Sequence, residues 1–346
     1  MKLSLLLSGV LVFFLFLFGC REEKTPDISH IKVHTNLVRF DQQFMNIDSL
    51  HIQSDLKILA GEYPTFFPVY MKRIMNFRSP TNENSLKREG SDSALYHFIT
   101  SNDIQQLQQA INQKFTTQKI QELHHQLNRS FKYIKYYYPS FKAPKIVTFM
   151  SALANYGAIT VDTVLGIGLD MFLGRNFPLY QKVQPPYPDY LLHRFTPENI
   201  VPSSIKVIYN QINPPPEKGT LLDEMLAKGK MLYFMDKVLP QTPDSLKIGY
   251  TQKQLNWSKE NEKYIWQYFV QKDLLYSSKP LTIRYYIGVS PSSKGMPPEA
   301  PGNIGSWVGW QIIRHYMSGH PETSVQELLK IKDSQKILNQ SDYRPR

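Results

Sequence analysis

The sequence contains a single cysteine, Cys20, among 346 residues. One thiol can form neither a disulfide within the chain nor a thiolate metal site, so the fold must be stabilised by packing. Its 21 tyrosines and 19 phenylalanines can supply that packing. Basic residues are in excess, with a formal net charge of +11, but they form no run of four or more. Such a balance fits nucleic acid, an anionic membrane surface or a polyanionic cell-wall partner, but the charge is scattered, and the envelope address that the amino terminus indicates argues against nucleic acid.

Signatures of common enzyme sites are also missing. The sequence has no G-x-S-x-G, no H-E-x-x-H and no Gly-rich phosphate loop. The densest histidine pair, His124-His125, occupies adjacent positions of a predicted helix. Adjacent helical positions point about 100° apart, so these two rings cannot bind one zinc ion together. The sequence therefore predicts no catalytic residue, no metal and no cofactor.

The amino terminus carries an uncharged apolar stretch from Leu3 to Gly19, preceded by Lys2. Such a segment is typical of a targeting signal rather than of a folded domain. It is shorter than the roughly 20 residues that span a bilayer comfortably, which argues against a transmembrane anchor. A secretory signal cut by the ordinary peptidase is the other alternative, but Leu17-Phe18-Gly19 fits its small-x-small pattern poorly. Leu17-Phe18-Gly19-Cys20 resembles instead the lipobox of bacterial lipoproteins.

The lipobox resemblance implies that residues 1–19 are a signal peptide and that Cys20 is the lipid attachment site. In such proteins the thiol is diacylated and the new amino terminus is acylated too, and more than one chain makes anchoring durable. Arg21-Glu22-Glu23-Lys24, within a tether of residues 20–30, resembles the surface-export signal of Bacteroidetes lipoproteins; a solvated tether is the alternative. No Asp follows Cys20 directly, so the familiar inner-membrane retention signal is not matched. We expect a lipid-anchored protein of the cell envelope, in the outer rather than the inner membrane.

Removal of the signal peptide leaves 346 − 19 = 327 residues, enough for one large domain or two modest ones. Helical periodicity dominates residues 31–144 and is clearest from Thr116 to Tyr138. Within this region we also predict one strand at 31–40 and a polar loop at 79–92. Residues 145–346 begin with a strand at 145–150 and a hairpin formed by 159–161 and 163–165. Helices are then predicted at 197–211, 220–239, 252–276, 303–317 and 324–330, with an extended piece at 281–287. The fold class is α+β, mainly helical with one small β-sheet, and both regions pack as one globular unit.

Several stretches together resemble one family. They are the lipobox, Val38-Arg39-Phe40-Asp41, the stretch from Gly166 to Gly174, the run from Pro197 to Pro202, the run from Leu222 to Tyr233 and the run from Gly305 to Arg314. Their combination is similar to the gliding motility lipoprotein GldB family of Bacteroidetes. That resemblance implies an envelope lipoprotein needed for gliding and associated with the type IX secretion and motility apparatus. It implies partners among those envelope proteins and no established enzymatic activity.

The C-terminal half also resembles predicted zinc peptidases of the gluzincin type. These have a small sheet, a helix carrying H-E-x-x-H, a second helix with a carboxylate ligand before a glycine, and a late Gly-Trp helix. Here the first helix, at 197–211, has no histidine, and Lys228 stands before Gly229 where the carboxylate would be. An ammonium group repels a divalent cation and cannot bind it while protonated. The resemblance therefore implies a degenerate zincin-like scaffold, with Gly229 allowing close helix packing.

Two functions remain open. The first is a non-catalytic scaffold or partner-binding component of the motility machinery. The second is an envelope hydrolase acting on peptide or cell-wall material, with Glu224, Asp170, His193 and His315 as its candidate residues. Two of them also have an ordinary structural explanation. Glu224 precedes Lys228 by four residues, in the favourable order for a helical ion pair. Asp170 lies where a turn or cap residue is expected.

Overall fold

The computed structural model describes residues 25–77, 89–216 and 219–345. Helices hold 58% of the residues and strands 6%, which confirms a mainly helical chain with one small sheet. Cys20, the lipobox and residues 21–24 lie outside the described residues. Within the described ranges, none of the helices combines the length and the apolar character that crossing a membrane requires.

The sheet has four strands in the order β1-β2-β4-β3. They are β1 (Leu37–Arg39), β2 (Lys145–Phe149), β3 (Ala158–Val161) and β4 (Val164–Gly168). Strand β2 runs parallel to β1 and β4, and β3 pairs antiparallel with β4. The predicted hairpin is confirmed, with Asp162 at the turn in a left-handed conformation (φ 51°) that Asp tolerates well. The predicted first strand was too long, because only Leu37–Arg39 pair with β2.

Helices follow β1 through the first half of the chain. They are α1 (Phe40–Met45), α2 (Ile52–Glu62), α3 (Phe66–Val69), α4 (Glu89–Thr100), α5 (Asn102–Lys114) and α6 (Thr117–Tyr137), with a π-helical turn at Tyr70–Ile74 after α3. Helix α6 confirms the clearest prediction, since Leu123, Leu127, Phe131 and Ile134 are buried on one face. The predicted loop at 79–92 was wrong from Glu89 onward, where α4 begins, and its earlier part lies outside the described residues. Since β1 and β2 pair, the two regions divided at residue 144 share the sheet; the division itself stays a prediction.

The second half is built from ten further helices within the described residues. They are α7 (Asp189–Leu192), α8 (Ile200–Ile212), α9 (Leu221–Val238), α10 (Asp244–Ile248), α11 (Gln252–Glu260), α12 (Glu262–Gln271), α13 (Pro280–Ile287), α14 (Ile304–Gly319), α15 (Val325–Lys330) and α16 (Ser334–Ser341). Two predictions were wrong here. The single helix at 252–276 is interrupted at Asn261, and the extended piece at 281–287 is helix α13. Its aromatic and β-branched residues favoured a strand, but Pro280 at the first helical position favours a helix start.

Helices α9 and α14 cross in close contact at two glycines. A Cβ atom on Gly229 would lie 2.3 Å from the carbonyl oxygen of Gly309, and one on Gly309 would lie 1.8 Å from that of Met225. The predicted close approach of Gly229 to the Gly-Trp helix is therefore confirmed. Trp307 and Trp310 of α14 are buried beside this crossing, so both helices belong to the core.

Candidate functional site

The structure separates the four residues proposed for a hydrolase. Asp170 is fully buried in the turn after β4, and His315 is exposed on α14, where its ring centroid lies 5.2 Å from that of Tyr343. His193 follows α7, and Glu224 lies in the first turn of α9. His193 is acted on electrostatically by Arg194 and Glu224 by Lys228, so each of these two has a cationic neighbour.

Asp170 fixes the backbone of the loop that follows β2. Its carboxylate accepts hydrogen bonds from the backbone N–H of Ser151 (2.9 Å), the hydroxyl of Ser151 (2.8 Å) and the N–H of Leu153 (2.7 Å). Burial raises the pKa of Asp170, and these hydrogen bonds oppose the rise. Ala152, Leu153 and Asn155 all have left-handed φ values, of 53°, 61° and 63°. The carboxylate therefore supports a strained loop, which agrees with its reading as a turn residue.

Two cationic side chains act electrostatically on a third, Lys206. Lys206 lies on α8, Lys228 lies on α9, and Arg194 lies in the segment between α7 and α8; we call these three residues the cation cluster. Arg194 and Lys228 both act electrostatically on Lys206 and lower its pKa. Gly249, at the end of α10, positions Arg194, because its carbonyl oxygen accepts a hydrogen bond from Arg194 Nε at 3.0 Å.

Lys206 combines partial solvent exposure with dense protein surroundings. Its side chain is half-buried, yet burial, before the repulsion from Arg194 and Lys228, lowers the pKa of Lys206 from 10.5 to about 7. The two charged groups that perturb the pKa of Lys206 are both cations.

The two candidate hydrolase residues flank this cluster. His193 Nε2 lies 3.0 Å from the carbonyl oxygen of Gly249, and burial is the main cause that lowers its pKa. Glu224 is half-buried; burial raises its pKa, while the charge of Lys228 opposes the rise. The charge of Lys228 thus acts on Glu224, but the predicted helical ion pair is not among the direct contacts of the described residues.

A neighbouring network shows how paired cations are arranged in the same fold. Arg314 donates to Asp236 from Nε at 2.9 Å and to Asp244 from Nη2 at 3.0 Å. Lys247 lies 2.8 Å from Asp236. Here two cations meet two carboxylates, so the charges balance. The cation cluster lacks that balance.

Lys206 was not predicted as a site residue, because a single lysine in an amphipathic helix is expected to be exposed. One local signal was available: Ser203 precedes Lys206 by three positions, the S-x-x-K spacing of enzymes with a serine nucleophile. Ser203 is half-buried on the same helix. The structure shows no hydrogen bond between these two described side chains.

A cleft of about 670 Å³ lies elsewhere, between α6, the start of α8 and the loop after α9. Leu123, Val201 and Leu239 contribute apolar surface to it. Its charged lining residues are Lys114, Lys119, Arg129, Glu122 and Glu198, which leaves a small excess of positive charge. Within this set Lys119 and Glu122 form an ion pair at 3.4 Å along α6.

Metal ligands are not grouped in the described part of the chain. No set of three or more His, Cys, Asp or Glu side chains there is placed to hold a metal ion. That the protein binds no zinc stays a prediction, as does the zincin-like character of the C-terminal half.

Comparison with known proteins gives one match. A family model described as gliding motility protein GldB matches residues 21–345, nearly the whole chain. No curated protein and no solved structure matches the chain.

Proposed function

This chain belongs to the gliding motility protein GldB family, and on that basis we propose that it is a non-catalytic, partner-binding component of the gliding and type IX secretion apparatus. Its family associates it with gliding motility and suggests a lipoprotein of the envelope. The proposal adds that the protein acts by binding other envelope proteins, from the outer membrane, and not by hydrolysis.

The observation that carries the non-catalytic part is the cation cluster. On the hydrolase hypothesis, Glu224 and His193 would need a metal ion or an activated water beside them. Instead the cations that act on them are Lys228 for Glu224 and Arg194 and Arg175 for His193, and these groups repel a divalent cation.

The partner-binding part is supported by the cleft beside α6. Its volume of about 670 Å³ lies within the range of pockets that hold small ligands or short peptide segments. Three cations against two carboxylates suit a segment that carries acidic side chains, and we assign the cleft to such a segment of another envelope protein. Arg129 and Lys119 are exposed, and a partner segment would compete with Gln241, which accepts a hydrogen bond from Arg129, and with Glu122, which pairs with Lys119.

Gliding on agar separates the two hypotheses through two sets of variants. Glu224→Gln and Ser203→Ala remove the groups that a hydrolase would use, and both should leave gliding intact. Reversing the charge of the cleft, by Lys119→Glu with Arg129→Glu, should abolish gliding at normal protein abundance, because an acidic partner segment would be repelled.

A matched double variant controls for charge alone. Lys253→Glu with Lys259→Glu reverses two exposed lysines on α11 and should glide normally. Protein levels are checked by immunoblot in every strain. An abundant Glu224→Gln or Ser203→Ala protein that does not support gliding would show that the chain is an enzyme, and a gliding cleft variant would remove the cleft from the proposal.

Anchoring through Cys20 is tested separately. Cys20→Ser should abolish labelling with a palmitate analogue, because the lipobox thiol is the acyl acceptor. The protein should then be uncleaved or found in the soluble fraction, whereas wild type fractionates with membranes. Persistent labelling of Cys20→Ser would contradict the assignment.

A further inference from the structure

The segment that precedes β1 packs along α6 and runs antiparallel to it. His124 Nε2 lies 3.0 Å from the carbonyl oxygen of Thr35. Further along the helix, Lys135 Nζ donates to the carbonyl oxygen of Lys32 at 3.2 Å. Ile28 also packs against the core. Lower residue numbers in this segment therefore lie toward the C-terminal end of α6.

This direction decides which end of α6 a lipid anchor can reach. Cys20 precedes Ile28 by eight residues, and eight fully extended residues span at most about 29 Å. If Cys20 carries the acyl chains, as proposed above, this stretch can bring the membrane surface to the C-terminal end of α6.

The same end of α6 is rich in basic residues. Residues 123–161 contain five Lys or Arg and no Asp or Glu. Lys132 and Lys135 lie in the last two turns of α6, and Lys142 is exposed shortly after the helix ends. In the described part of the chain, none of these three lysines forms an ion pair with a carboxylate.

Neighbouring segments do not cancel this positive charge. Helix α15 borders the end of α6, since Gln326 donates to the carbonyl oxygen of Tyr137. It carries one acid and one base, Glu327 and Lys330. Residues 25–36 likewise hold one acid and one lysine. The positive charge of the three lysines is therefore left in excess.

An aromatic side chain is exposed beside these lysines. Tyr136 is 44% exposed, and its ring centroid lies 5.0 Å from that of Tyr137. Pro139 and Ser140 continue the exposed surface past the helix. Tyrosine suits the boundary between lipid headgroups and acyl chains, because its ring is apolar and its hydroxyl is polar.

We propose that Lys132, Lys135, Tyr136 and Lys142 dock on the anionic headgroups of the membrane that holds the acyl anchor; we call these four residues the docking surface. This inference rests on the proposed anchor at Cys20 and adds an orientation to it. Basic residues next to an anionic membrane are attracted to its negative surface potential. The docking surface shares no residue with the cleft proposed for a partner, so docking leaves the lining of the cleft free.

Fluorescence quenching on reconstituted vesicles tests the proposal. Cys20 is the only cysteine, so one introduced elsewhere in the acylated full chain is the only free thiol. Ser140→Cys places a fluorophore beside the docking surface, and Thr117→Cys places one at the other end of α6, about 30 Å away. Both positions are exposed. The vesicles contain phosphatidylethanolamine, phosphatidylglycerol and a lipid with a nitroxide on its headgroup, which should quench Ser140→Cys much more strongly than Thr117→Cys.

Charge variants and lipid composition test the role of the lysines. Lys132→Gln with Lys142→Gln should lower the ratio of docked to free protein about 30-fold, the effect of removing two basic residues from an anionic surface. Lys253→Gln with Lys259→Gln, at two exposed positions of α11, should leave the quenching unchanged. Omitting phosphatidylglycerol, or raising the salt concentration to about 1 M, should also weaken docking in the unaltered lysine background.

Flotation with the vesicles reports the anchor separately. Protein that floats but is quenched equally in Ser140→Cys and Thr117→Cys overturns the docking and leaves the anchor intact. Quenching of Ser140→Cys that does not depend on phosphatidylglycerol, or that survives the loss of Lys132 and Lys142, also overturns it. Protein that does not float contradicts the anchor at Cys20, and the docking is then overturned with it.

Discussion

Gly309→Ala should lose about 3 kcal/mol or more of unfolding free energy, the upper end of what overpacking costs. The added Cβ atom would lie 1.8 Å from the carbonyl oxygen and 2.4 Å from the carbonyl carbon of Met225. Both are backbone atoms of α9, so no side-chain rotation can relieve the clash and the two helices must separate. Separation would open the contacts of Trp307 and Trp310, which are buried beside the crossing. Against a typical total of about 5–15 kcal/mol, a loss of this size removes a large part of the stability.

Chemical denaturation measures the effect, with Gly319→Ala as the control. Gly319 ends the same helix, is exposed, and has no heavy atom within 4 Å of the position that its Cβ would take. The control should be neutral or slightly stabilising, because alanine favours a helix more than glycine does. If both variants unfold at the same denaturant concentration, the close crossing of α9 and α14 is not present in solution.

The sequence predicted this crossing and the longest helices because local patterns specify them. Helix α6 repeats apolar residues at three- and four-residue steps, and the capping box of Thr220 and Asp223 marks the start of α9. The hairpin of β3 and β4 was equally local, with Asp162 at its turn. The prediction for α13 was wrong for the opposite reason. Its composition favours a strand, and its burial depends on residues far along the chain.

The candidate site was less predictable than the fold. Lys228 could be singled out by its position before Gly229, but nothing near Lys206 in sequence shows that it is buried. Its environment is created by other parts of the chain, since Lys228 on α9 and Arg194 in the segment after α7 act on it electrostatically. Such a group is formed only by the tertiary structure. Asp170 shows the same limit. The residues that donate hydrogen bonds to it, Ser151 and Leu153, are separated from it in sequence by the hairpin of β3 and β4.

Asp170→Asn should destabilise the protein by about 3 kcal/mol, although it changes only one oxygen into an amide nitrogen. The carboxylate accepts three hydrogen bonds, from the N–H and hydroxyl of Ser151 and from the N–H of Leu153. An amide has one acceptor oxygen, and its NH₂ group would face a donor. Each buried donor left without an acceptor costs about 1–3 kcal/mol. Ala152 and Leu153 would lose the support that holds them at positive φ, which adds to the loss.

Asp162→Asn is the matched control, because it makes the same chemical change at an exposed turn residue with φ 51°. Asparagine tolerates the left-handed conformation as well as aspartate does, so this variant should unfold at the wild-type denaturant concentration. A protease that cleaves flexible loops gives a second measurement: cutting within residues 151–157 should become faster in Asp170→Asn and remain unchanged in Asp162→Asn. Equal stability of the two variants would mean that the carboxylate of Asp170 does not hold the loop, and its burial beneath the sheet would then need another explanation.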